Sequence, residues 1–112
     1  METIGWDDFA KVEPRVGRIV EARVFTEVRK PAYVLQVDFG EDIGVRKSSA
    51  QITHLYSPEE LIGKLVVGVV NVPKKQIGPL MSECLVTGFY DANGDVALCV
   101  PDKPVPLGAK LG

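Results

Sequence analysis

The alternation of apolar and polar positions predicts strands along most of the chain. Tyr33, Leu35, Val37 and Phe39 take every second position, with Val34, Gln36 and Asp38 between them. This two-residue repeat belongs to a strand with one face on a core. Val20, Ala22 and Val24 alternate with Glu21 and Arg23 inside a longer strand over residues 15–25, opened by Pro14. The repeat stumbles at Gly17-Arg18-Ile19, where a glycine inside a strand predicts a bulge or a sharp coil. Gly40-Glu41-Asp42 predicts a hairpin turn, with the returning strand over residues 43–48. Residues 65–72, rich in valine, predict a fourth strand, and residues 85–90 and 96–100 a final hairpin around the turn at 91–95.

Two short helical signals interrupt this pattern. In Ser57-Pro58-Glu59-Glu60 a serine cap, a proline at the first helical position and a glutamate three residues after the cap predict a helix that Gly63 ends. The opening Ile4-Gly5-Trp6-Asp7-Asp8-Phe9 predicts an Asp-capped helical turn that buries Trp6 and Phe9. Residues 101–112, with three prolines and two glycines, predict an extended strap. Three strands, a short helix and two strands is the order of a five-stranded, all-β OB-fold barrel, here as one domain over residues 1–112. A long first strand bent near its middle is what closing a small barrel requires.

The candidate chemistry points away from catalysis. The single histidine, His54, stands before the helix cap without a nucleophile or metal partner at a recognisable spacing. No nucleophile elbow, zinc-protease helix motif or glycine-rich phosphate loop is present. Asp7-Asp8, Glu41-Asp42 and Glu59-Glu60 fit a cap, a turn and a first helical turn. Cys84 and Cys99 lie in apolar runs and form no CxxC pair, so they read as reduced core residues. The expectation is a protein with no catalytic residue, no metal and no cofactor. No apolar run approaches the ~20 residues of a membrane span. The opening residues lack the basic and apolar parts of a secretory signal, which makes the cytoplasm the expected location.

The net charge is −2, but recognition depends on where charges cluster. The basic residues include three doublets, Arg29-Lys30, Arg46-Lys47 and Lys74-Lys75, each in an expected loop or at a strand end. In an OB barrel such loops gather around one ligand face. Ser48, Ser49 and Gln51 follow the second doublet, and Asn71 and Ser82 flank the third. These polar side chains suit phosphate, ribose and base edges, so the reading is an anionic, RNA-like ligand.

Three motifs in order carry a resemblance that extends over nearly the whole chain. Arg15-Val16-Gly17-Arg18-Ile19-Val20-Glu21-Ala22, Val37-Asp38-Phe39-Gly40-Glu41 and Asn71-Val72-Pro73-Lys74-Lys75-Gln76-Ile77, followed by Ser82-Glu83, resemble the tRNA-binding domain. That domain is shared by synthetase appendages and free-standing tRNA-binding proteins. Arg29-Lys30-Pro31-Ala32-Tyr33, the run Lys47-Ser48-Ser49-Ala50-Gln51-Ile52-Thr53 and Met81-Ser82-Glu83 are similar to an export-related, chaperone-like branch of the family. The resemblance implies a homodimer joined through the N-terminal segment and the strap, and binding of tRNA by shape. It implies preproteins and the Sec export motor as further partners, with no membrane insertion. Arg46, Lys47, Asn71, Lys75 and Ser82 would line the RNA face, with Met81 beside them. An alternative is a secretion chaperone holding extended peptide in an apolar pocket of Phe25, Val34, Leu80 and Met81. Cys84 and Pro79 stand where the family usually has glycine, both in the segment expected to touch RNA.

Overall fold

β1 (Pro14–Val24) organises the molecule, because it pairs along different parts of its length with two different strands. In the computed structural model, which describes all 112 residues, its first half pairs antiparallel with β4 (Leu65–Val69). Its second half pairs with β2 (Tyr33–Asp38), and β2 with β3 (Val45–Ala50). β7 (Leu85–Val86) adds to β4, giving the order β3-β2-β1-β4-β7, a nearly closed all-β barrel of the OB type. The edges meet where the Glu83 N–H donates to the Lys47 carbonyl (2.8 Å) and the Lys47 N–H to the Glu83 carboxylate (3.0 Å). α2 (Pro58–Leu61) plugs one end with the fully buried Leu61, and its capping box forms as the sequence predicts. No helix is long and apolar enough to cross a membrane.

The glycine in β1 serves the core. A Cβ on Gly17 would stand 2.5 Å from Val37 Cγ1 and 2.8 Å from Phe39 Cδ1, and one on Gly68 would stand 2.7 Å from Phe39 Cζ. The Phe39 ring therefore packs into a trough that only glycines on β1 and β4 leave open. The expected irregularity exists but lies further on, between Ile19 and Glu21, where the pairing with β2 slips by a residue. The β2–β3 turn is also longer than predicted. Gly40 and Gly44 both take positive φ (91° and 82°), and the Gly44 N–H closes the turn on the Gly40 carbonyl (2.7 Å). β3 begins two residues later than expected. The pairing register that the longer turn imposes, Ser48 across from Leu35 and Ala50 across from Tyr33, turns both inward and leaves Lys47 and Ser49 on the outer side.

Other differences have local causes. A hairpin of β5 (Lys75–Ile77) and β6 (Leu80–Ser82), turning at Gly78-Pro79, was not predicted, since its strands are too short to show an alternation. The expected strand over residues 85–90 breaks at Thr87 into β7 and β8 (Gly88–Tyr90), the latter paired with β9 (Val96–Leu98). Thr87 donates its N–H and hydroxyl to the Val67 carbonyl and accepts from the Cys99 N–H, which redirects the chain. α1 (Trp6–Ala10) forms without a side-chain cap and buries neither aromatic within the chain: Trp6 is 87% exposed and Phe9 47%. The tail is extended as predicted and lies against the start of β1, with Gly108 N–H on the Val16 carbonyl and Val16 N–H on the Ala109 carbonyl.

Candidate nucleic-acid interface

Two basic doublets meet at Glu83. Lys47 on β3 binds the Glu83 carboxylate through its backbone N–H, while Lys74 Nζ lies 3.7 Å from the other oxygen of the same carboxylate. Lys75 follows on β5, directly across from Ser82. Glu83, noted in the sequence only as part of a motif, thus tethers one lysine and leaves Lys47 and Lys75 exposed on either side. Arg46 is half-buried, with Nη1 3.5 Å from the Val70 carbonyl. The third doublet, Arg29-Lys30, is exposed on the β1–β2 loop. That loop packs on the β5–β6 turn, where Val28 and Phe25 stand within van der Waals distance of the Cβ position of Gly78.

The polar companions are differently placed. Ser48 and Ser82 are buried, and both hydroxyls donate to the Cys84 carbonyl, at 3.1 and 3.4 Å. They hold the barrel seam and do not face a ligand, a correction that follows from the pairing register of β3 with β2 for Ser48 and from the β5–β6 hairpin for Ser82. Asn71 accepts from the Glu13 N–H (3.0 Å) and donates to the Lys11 carbonyl (2.6 Å), so its amide pins the segment after α1. The structure therefore brings Lys47, Lys74 and Lys75 around one acidic anchor, with Arg46 turned to the Val70 carbonyl and Arg29 and Lys30 on the adjoining loop.

The pocket expected from Phe25, Val34 and Leu80 is closed. These three pack with Ala32 into a second buried cluster, and only Met81 of the set is open to solvent, at 41%. Val34 lies on the outer side of β2, and the unforeseen β5–β6 hairpin covers it. His54 bonds Asp95 (2.6 Å), joining the segment before α2 to the β8–β9 turn.

Cys84 is free and belongs to the main core, as its apolar run predicts; the other expectation for that position, an RNA-facing loop, is corrected. Pro79 does sit at an exposed turn. Burial pushes the Cys84 thiol up from 9.0 to about 11, against the opposing effects of Ser48 and Arg46. A raised thiol pKa means that the folded state holds its proton more tightly than the unfolded chain does. Stability contributed by the neutral thiol is full below pH 9.0 and is lost as pH rises towards about 11. The loss is at most roughly 1.4 kcal/mol per pH unit. Urea denaturation in that window should show a steeper decline for the native chain than for Cys84→Ala; parallel curves would contradict the assignment.

Comparison with known proteins agrees with this geometry. Residues 15–110 match the family model described as "Putative tRNA binding domain". The chain is 38% identical over 111 residues to the methionine–tRNA ligase of Pyrococcus horikoshii, covering 99% of this chain but 15% of the ligase. The ligase of Methanococcus aeolicus gives the same identity over 16% of its length, so the chain spans only a small part of these enzymes. Among solved structures, the chaperone CsaA of Bacillus anthracis superposes with a TM-score of 0.93 at 41% identity, covering 99% of this chain and all (100%) of the other. The CsaA chaperone protein of Picrophilus torridus gives 0.92 at 45% identity, with 98% and 100% covered. With the family model spanning the barrel and these structures superposing almost end to end, the chain belongs to the tRNA-binding-domain family, in its CsaA-like branch.

Proposed function

We propose that this protein is a non-catalytic tRNA-binding module of the cytoplasm. The observation that carries the reading is the clustering of Lys47, Lys74 and Lys75 around Glu83, beside the loop of Arg29 and Lys30. A chain of net charge −2 attracts a polyanion through such a local patch and not through its average field. If about five phosphates are contacted, the log of the affinity falls by roughly 3 to 5 per log unit of salt. Fluorescence anisotropy of labelled bulk tRNA across a salt series measures that slope. A flat dependence, or no binding near ~100 mM salt, would remove tRNA as the ligand.

We also propose a homodimer. Trp6, Phe9, Val12 and Leu111 line an open cavity of about 470 Å³ between α1 and the tail, an apolar surface that a second copy would cover. Light scattering should give a dimer at micromolar concentration and a monomer for Trp6→Glu; a native monomer would refute the assembly. Preprotein binding and a link to the Sec export motor form the second reading, supported by the chaperone names of the structural relatives. With Phe25, Val34 and Leu80 buried, that role would need another surface. It takes first place if tRNA fails to bind.

A further inference from the structure

A groove runs from the edge of β3 to the β8–β9 hairpin. It consists of two cavities, of about 480 Å³ and about 230 Å³, that share Gln51, Ile52, Gly94 and Val96. Tyr90, 81% exposed, lines the larger one opposite Ser49 and Gln51. Lys30 lines the smaller one. At the other end the groove joins the basic cluster, because Lys47 lies two residues before Ser49 on the outer side of β3. Asp95 also lines it, but its carboxylate is engaged by His54 at 2.6 Å.

We propose that this groove holds a short unpaired RNA segment, with one base stacked on Tyr90. The inference rests on the RNA-binding reading and adds to it a subsite for single-stranded nucleotides, where recognition of tRNA by shape needs none. The chemistry fits in each part. Tyr90 offers an exposed π-face on a hairpin fixed by its pairing with β9, where it stands across from Val96. Ile52 and Val96 give an apolar wall for a planar base. The Ser49 hydroxyl and Gln51 amide can both donate and accept hydrogen bonds, as base edges require. Lys30 and Lys47 put positive charge towards the two ends, where the flanking phosphates would lie. Charge complementarity and continuity with the basic cluster favour RNA over an extended peptide.

The test uses a fluorescein-labelled oligouridylate of about eight nucleotides, within the site size of one OB barrel, and a blunt RNA duplex for comparison. Because Tyr90 is solvent-exposed, its replacement should not unfold the barrel, and circular dichroism verifies this. Tyr90→Ala is expected to weaken the oligouridylate about tenfold, and Tyr90→Phe to retain it, since stacking needs the ring and not the hydroxyl. Losses of equal size for oligouridylate and duplex, or none for either, would overturn the proposal. So would a change of oligomeric state in Tyr90→Ala, which would make the residue part of a subunit contact. Displacement of a bound peptide without any oligouridylate binding would assign the groove to polypeptide instead. If oligouridylate binds in the Tyr90-dependent way but bulk tRNA shows no salt-dependent binding, tRNA fails as the ligand and the subsite stands. If tRNA binds and oligouridylate does not, the subsite alone fails.

Discussion

Phe39→Ala should destabilise the barrel by about 3 to 5 kcal/mol, a large share of what holds a small domain together. The side chain is buried at the centre of the main core and fills the trough above Gly17 and Gly68. Removing it leaves a cavity against two strands whose own ladders prevent collapse. The reverse change has a cost as well. Gly17→Ala puts a methyl 2.5 Å from Val37 Cγ1 and 2.8 Å from the Phe39 ring, an overlap that side-chain movement cannot relieve, since both neighbours are core residues. Overpacking of that kind costs about 1 to 3 kcal/mol. The two sites share space, so the double variant should lose about 1 kcal/mol less than the sum of the singles. Urea denaturation of the four proteins measures this, and strict additivity would show that the ring and the glycine do not depend on one another.

Lys47→Glu/Lys75→Glu should weaken tRNA binding by about a hundredfold at moderate salt and lower the salt slope by about 2. Both side chains are exposed, so the fold should survive the change. The loss combines two missing phosphate contacts with two new repulsions, placed beside Glu83, which is already acidic. Lys103→Glu, an exposed change of the same charge on the strap, should have a much smaller effect. Equal losses for the two variants would mean that tRNA responds to net charge and not to this surface.

The basic doublets were legible in the sequence because adjacent lysines and arginines need no fold to be counted. Their companions were not. Whether Ser48 faces a ligand or the core depends on a register that a single residue inverts, and that register was set by the five-residue turn between Gly40 and Gly44. Ser82 and the apolar set of Phe25, Val34 and Leu80 depended on the β5–β6 hairpin, whose three-residue strands leave no readable period. Tyr90 is one aromatic in an expected strand, and its exposure depends on the separate β8–β9 hairpin into which that strand breaks.

By itself the sequence determined the all-β class, the long β1, the strand of Tyr33 to Phe39, the capped α2 and the extended tail. Each of these is written in local alternation, capping residues or prolines, which act over a few positions. Only the tertiary structure decided that Glu83 draws two basic segments together, that Ser48 and Ser82 face the barrel seam, and that Tyr90 stands across a groove from Gln51. Those relations join residues distant in the chain. They rest on closure of the barrel edge between Lys47 and Glu83, a contact 36 residues apart that no local pattern encodes.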